Sequence, residues 1–140
     1  MVHSPSTVIP GLRYRDAQAA IDWFCKVFGF EKNAVYKAPD GSIAHAQLTL
    51  GGGMIMLGTQ KGDEYSRSFK SPKELDGAET SSVYIVVADA DAAFARAVAA
   101  GAAVILPLYD TSYGGREFEV KDAEGHTWTA GTYNPWVKQE

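Results

Sequence analysis

Tyr14-Arg15-Asp16-Ala17-Gln18-Ala19-Ala20-Ile21-Asp22-Trp23-Phe24-Cys25-Lys26-Val27-Phe28-Gly29 reads as one helix with both ends marked. Asp16 can accept from the free N–H groups of the first turn, and Gly29 supplies the left-handed stop. Between them Ala20, Ile21, Phe24, Val27 and Phe28 recur at three- and four-residue spacing, which predicts one apolar stripe packed on a core. A β-rich stretch, 7–14, precedes this helix. Glu31–Tyr36, His45–Leu50 and Met54–Leu57 follow as strands, separated by Pro39-Asp40-Gly41 and by Gly51-Gly52-Gly53. The order is βαβββ.

The same order starts again after a polar stretch, 58–79, that has no sustained period and reads as a connector. Ser82–Val87 is a predicted strand, Asp89 a cap, Ala90–Ala100 a helix stopped by Gly101, and Ala103–Leu106 a strand. A hairpin, Glu117–Lys121 with His126–Gly131, turns at Asp122-Ala123-Glu124-Gly125. Asp89 follows Asp16 by 73 residues, and that offset carries Ile21 to Phe94 and Met56 to Thr129. The repeat is one of pattern more than of identity. Module 1 is expected over about 7–58 and module 2 over about 80–133, within a single domain 1–140 of α+β class. Each helix would cover one face of a mixed sheet, leaving the other faces to curl into a cup.

Composition narrows the function. A chain of 140 residues with 46% hydrophobic and 21% charged residues is globular and long enough for one real core. Its net charge of -4 argues against a partner held by phosphate contacts, so no nucleic acid is expected. With one cysteine, Cys25, neither a disulfide framework nor a cysteine-based zinc cluster can form within the chain. The start has no basic and apolar leader, and no stretch is long enough to span a bilayer. A cytoplasmic protein without membrane contact is the expectation.

Several stretches resemble the glyoxalase/bleomycin-resistance/dioxygenase superfamily, the vicinal oxygen chelate proteins. They are Gly11-Leu12-Arg13-Tyr14-Arg15-Asp16 running into Ala20-Ile21-Asp22-Trp23-Phe24, then Phe28-Gly29-Phe30-Glu31, and Tyr113-Gly114-Gly115-Arg116-Glu117-Phe118. Lys121-Asp122-Ala123-Glu124-Gly125-His126-Thr127-Trp128 and Gly131-Thr132-Tyr133 complete the set. His45-Ala46-Gln47-Leu48 with Met54-Ile55-Met56-Leu57-Gly58 is similar to the PhnB-like branch. The resemblance implies paired βαβββ modules forming a cupped sheet and commonly a homodimer. Its members include glyoxalase lyases, ring-cleaving dioxygenases, thiol transferases that inactivate fosfomycin, and metal-free proteins that sequester bleomycin-type antibiotics.

Metal-dependent members take a ligand from the first and last strand of each module. The matching positions here are Ile9, Met56, Ser82 and Thr129, none a competent donor for a divalent ion. A register slip of one residue offers Pro10, Leu57, Val83 and Ala130, which is no better. No metal and no other cofactor are therefore expected.

Alternation places the remaining candidates. His45, Gln47 and Thr49 share one face of their strand, beside Met56 across the hairpin, opposite Ala46 and Leu48. His45 is either a ligand contact or a histidine satisfied by a neighbour. Glu117 and Glu119 share the face of Thr127 and Thr129, as an acid/base pair, a cation-attracting pair or a solvated sheet edge. Tyr84 has the parity of Ser82 and should line the cup, while Tyr109 and Tyr113 flank Gly114-Gly115 at its rim. Their faces suit planar or cationic ligands. His126 reads as a solvated turn residue and His3 as part of a frayed terminus, while Arg13 and Arg116 read as surface charges or, alternatively, as contacts to an anionic substrate group. Trp23 reads as packing, and Cys25 has no activating partner.

The expected ligand site is thus His45, Gln47, Met56, Ser82, Tyr84, Tyr109, Tyr113, Glu119 and Thr129, binding a small planar or cationic molecule without a metal. The rival is a glyoxalase-like lyase or isomerase using His45 with Glu117 or Glu119, or a metal held elsewhere. A ligand-free structural domain is the third reading.

Overall fold

The computed structural model describes residues 5–62 and 65–137, so His3, Asp63 and Glu64 lie outside the described residues. The chain divides into two compact units, 1–71 and 72–140. Unit 1 contains β1 (Gly11–Tyr14), α1 (Ala17–Phe28), β2 (Glu31–Lys37), β3 (Ile43–Leu50) and β4 (Gly53–Thr59). Unit 2 contains β5 (Val83–Val86), α2 (Ala90–Ala99), β6 (Ala103–Asp110), β7 (Arg116–Lys121) and β8 (Thr127–Gly131). Both are βαβββ modules with one four-stranded mixed sheet, in the orders β1-β4-β3-β2 and β5-β8-β7-β6. In each, the first strand runs parallel to the last, and the other pairs are antiparallel.

The caps form as the side chains dictate. Asp16 Oδ1 accepts from Ala19 N at 3.0 Å, and Asp89 Oδ1 from Ala92 N at 3.0 Å. Gly29 closes α1 at φ 79°, a left-handed angle that a β-carbon would strain. The stripe of α1 is buried as Ala20, Ile21, Phe24, Val27 and Phe28, with Ala46, Leu48, Ile55 and Leu57 buried on the sheet. In unit 2 the counterparts are Ala90, Ala93 and Ala97 of α2 and Phe118, Val120, Trp128 and Ala130 of the sheet. Phe94 meets Phe118 edge-on at 5.2 Å. Complete burial of Phe118 and Trp128 supplies on the order of 2–3 kcal/mol each.

Two expectations need correction. The strand expected over 103–106 runs to Asp110, so Tyr109, expected to flank the Gly114-Gly115 loop, lies within β6. β6 runs through Pro107 because it is a sheet edge, where a missing N–H costs no ladder bond. His126 is not a solvated turn residue: its side chain is 15% exposed, with Nδ1 3.8 Å from Glu79 Oε2. The reason is the segment before β5, which packs on the β7–β8 hairpin. Glu79 Oε1 accepts from Thr127 N at 2.8 Å, and Lys121 Nζ donates to the Gly77 carbonyl at 3.2 Å. The polar stretch 58–79 also holds two short 3-10 turns, Tyr65–Ser68 and Pro72–Leu75, with Ser71 and Pro72 buried between its exposed charges.

Candidate functional site

In each module the sheet face away from the helix carries the polar candidates, and strand register fixes which of them are neighbours. In unit 1 Met56 stands between Gly11 of β1 and Gln47 of β3. In unit 2 Thr129 stands between Tyr84 of β5 and Glu119 of β7. Met56 and Thr129 are thus equivalent, as are Gly11 and Tyr84 at the same offset of 73. The β7–β8 hairpin has one residue more than its counterpart, so the offset on the neighbouring strand is 72. Gln47 therefore corresponds to Glu119, and His45 to Glu117.

That correspondence extends to the edge strands. Tyr36 of β2 pairs with His45, and Tyr109 of β6 pairs with Glu117. Tyr36 stacks on the His45 ring, centroids 6.2 Å apart at 24°. Tyr109 instead turns its hydroxyl to Glu117 Oε1. The same scaffold thus holds a stacked ring pair in one module and a phenol–carboxylate pair in the other.

Glu117 is the hub of unit 2, a carboxylate only 6% exposed. Its Oε2 accepts from the Tyr113 hydroxyl at 3.0 Å while Oε1 accepts from Tyr109. Gly131 of β8 is opposite Glu117, and a β-carbon there would lie 2.7 Å from Glu117 Cβ and 2.7 Å from the Tyr84 oxygen. Glycine thereby admits Tyr84, whose hydroxyl donates to the Tyr133 carbonyl at 2.7 Å. The Tyr133 ring meets Tyr113 edge-on at 5.0 Å. Thr129 Oγ1 donates to Glu119 Oε1 at 3.2 Å.

The electrostatics follow from this packing. The hydrogen bond to Glu117, then burial, pushes the Tyr109 phenol up to about 12, because ionising it would set a second anion against the carboxylate. The same bond raises Tyr113. Tyr84 is raised by burial first and by the Glu117 charge second. All three phenols keep their protons at neutral pH. Tyr84, Tyr109, Tyr113 and Thr129 each spend that hydrogen inside the cluster. What they have left for a ligand is oxygen lone pairs and ring faces, beside two carboxylates.

Unit 1 offers a different surface. Asn33 Nδ2 donates to Gln47 Oε1 at 2.9 Å, so the Gln47 amide nitrogen faces His45 Nε2 at 3.2 Å. An amide N–H can only donate, so His45 Nε2 accepts and the ring proton sits on Nδ1. A cavity of about 340 Å³ opens beside it, lined among others by Arg13, His45, Met56, Gly58 and Phe69.

Of the expected site residues, Tyr84, Tyr109, Tyr113, Glu117, Glu119 and Thr129 converge in unit 2, and His45, Gln47 and Met56 in unit 1. Ser82 precedes β5 and is exposed. Ile9, likewise, precedes β1. Arg116 is a structural charge, its guanidinium 3.1 Å from both Asp91 and Asp110. Trp23 packs edge-on against Phe24 and Phe28. Burial pushes the Cys25 thiol up, away from nucleophilic use. Sequence reading missed the two clearing glycines, Gly58 and Gly131, and the Tyr133 carbonyl. The equal offset of the glycines was the available signal.

The donor set does not fit a divalent metal. Between the first and last strands, register brings together a glycine and a thioether in unit 1, and a phenol and a hydroxyl in unit 2. Among the described residues, no three His, Cys, Asp or Glu side chains are placed to hold an ion. Nor is any described helix long and apolar enough to cross a membrane.

Known proteins with this pattern can now be set beside it. An uncharacterized protein of Mycobacterium tuberculosis H37Rv is 34% identical over 122 residues, spanning 87% of this chain and 71% of its own. The crystal structure of TioX from Micromonospora sp. ML1 is 34% identical with a TM-score of 0.69, covering 92% of this chain and 99% of that one. A fosfomycin-resistance protein, FosX, from Listeria monocytogenes, solved with Mn(II) and a dihydroxypropylphosphonic acid, shares the fold at 17% identity. Its TM-score is 0.67, over 95% of this chain and 93% of that one. A sequence model of one family matches residues 7–130. The chain belongs to the Glyoxalase/Bleomycin resistance protein/Dioxygenase superfamily.

Proposed function

We propose that this protein binds and sequesters a small planar cation without a metal, on the helix-free face of its second module. The observation that carries the reading is the Tyr109–Glu117–Tyr113 cluster, in which a nearly buried carboxylate turns two phenol hydrogens inward. A ligand approaching this face meets acceptor oxygens, the Glu119 carboxylate and the rings of Tyr109 and Tyr113, which are 37% and 49% exposed. Flat cations gain there from ring stacking, from attraction to the π faces and from charge. The same geometry speaks against acid/base turnover by this cluster. Tyr109, protonated to about pH 12, cannot act as a base at neutral pH, and both Glu117 oxygens are engaged. The reading includes a homodimer of the PhnB-like branch, as the resemblance implies, and a cytoplasmic location, as the single cysteine suggests; sedimentation equilibrium checks the dimer.

The test is a fluorescence titration of chelator-treated protein with 9-aminoacridinium, a planar cation at neutral pH. Saturable binding that weakens tenfold or more in Glu119→Gln supports the reading. Absence of binding, or binding indifferent to Glu119→Gln, refutes it.

A further inference from the structure

Module 1 poses a separate question, because its cavity is neither acidic nor part of the tyrosine cluster. About 340 Å³ is within the range of ligand pockets and suits one or two fused rings. Its lining includes Gly11, Arg13, His45, Met56, Gly58 and Phe69, and no aspartate or glutamate. We infer that this cavity is a second binding site, one that takes a planar aromatic carboxylate.

Three features of the lining carry the inference. The first is the guanidinium. Arg13 of β1 pairs in register with Gly58 of β4, and a β-carbon on Gly58 would sit 2.9 Å from Arg13 Nη1 and 2.7 Å from the Ala44 carbonyl. The missing side chain is what lets the guanidinium lie along the strand at the cavity wall. A guanidinium has five N–H donors in a planar fork, so it can keep a protein partner and still present donors to a carboxylate.

The second feature is His45, whose Nε2 is occupied by the Gln47 amide. Its remaining ring nitrogen, Nδ1, carries the proton and is therefore a donor. The ring is also fixed in orientation, stacked on Tyr36 and tied through Gln47 to Asn33. Both polar side chains of the lining thus donate, and a carboxylate is a planar group that can accept from both.

The third feature is the apolar remainder. Met56 supplies a pliant thioether and Phe69 a ring, surfaces that favour a flat apolar body behind the carboxylate. The site is independent of the planar-cation reading, since its residues belong to unit 1 and that cluster to unit 2.

The experiment titrates the unmodified protein with 1-naphthoate and with 1-naphthylmethylammonium, which share a ring and differ in charge, following affinity by calorimetry and the His45 ring nitrogens by 15N NMR. The expected result is one naphthoate site per chain, a shift of the His45 resonances on saturation, and ammonium binding at least tenfold weaker at that site. Arg13→Met should weaken naphthoate binding tenfold or more, and Met56→Trp, which fills the cavity without touching a charge, should abolish it. Failure of naphthoate to saturate, or saturation with the His45 resonances unmoved, overturns the inference. So does equal binding of the two probes with His45 shifting alike for both. If a variant does not fold, the His45 shifts of the unmodified protein decide the matter alone.

Discussion

Replacing Glu117 with glutamine isolates the group on which the second module's chemistry rests. The carboxylate is 6% exposed and accepts from two phenols, and bonds to a charged acceptor contribute about 1.5–3 kcal/mol each. Glutamine keeps one oxygen to accept from one phenol and turns an NH2 group toward the other, whose own oxygen can rotate to accept. The net loss is therefore about one charge-assisted bond, or about 1.5–3 kcal/mol at pH 7. Urea unfolding followed by tryptophan emission reads it, since Trp128 is buried in the same module. The second readout is the ionisation of Tyr109, raised to about 12 chiefly by this carboxylate. Below pH 10 the phenol is protonated in both folded and unfolded chains, and its bond contributes in full. Between about pH 10 and about pH 12 the unfolded chain releases that proton while the folded chain holds it, so stability falls as pH rises through the window. In Glu117→Gln the window should close, and absorbance near 295 nm should show Tyr109 ionising close to the ordinary tyrosine value. A variant as stable as the wild type at pH 7, with Tyr109 still ionising near pH 12, would refute the assignment of Glu117 as hub.

Other expectations follow from single residues. Asp122 accepts from Glu124 N, His126 N and the Trp128 indole at 3.0, 3.1 and 3.0 Å, so Asp122→Ala should lower the unfolding free energy by about 3 kcal/mol, measured in urea. Phe118→Ala removes a fully buried ring against Phe94 and should cost about 3–5 kcal/mol by the same assay. Gly131→Ala places a carbon 2.7 Å from the Tyr84 oxygen and should cost about 1–3 kcal/mol, with Tyr84 displaced in a crystal structure of the variant. The His45 ring should show the Nδ1–H tautomer by 15N NMR at neutral pH, and Gln47→Ala should release that preference.

The fold was legible because its determinants are local. Asp16 and Asp89 cap their helices as side-chain chemistry requires, and period-two alternation told Ala46 from His45 and Phe118 from Glu117. The site was legible as a set of faces and not as a set of bonds. Parity brought Tyr84, Glu117, Glu119 and Thr129 to one side of a sheet, but which phenol reaches which carboxylate depends on side-chain length and on space. That space is made by residues with no side chain: Gly131 admits Tyr84, and Gly58 admits Arg13. The strand expected to end at Leu106 continues through Pro107 to Asp110, which is legible only once the strand is known to be an edge, a property of the sheet and not of the segment. His126 was misread for a related reason: the turn is local, but its cover comes from Glu79, nearly fifty residues upstream.

Metal-independent binding is the central claim, and the most direct test joins metal analysis to a ligand titration. Purified protein would be incubated with Zn, Ni, Mn and Fe(II), passed through a desalting column and assayed by elemental mass spectrometry, then titrated with 9-aminoacridinium before and after chelator. The account predicts far less than one metal per chain and the same affinity in both titrations. One chelator-removable metal per chain, with ligand binding that disappears when the metal is stripped, would contradict it.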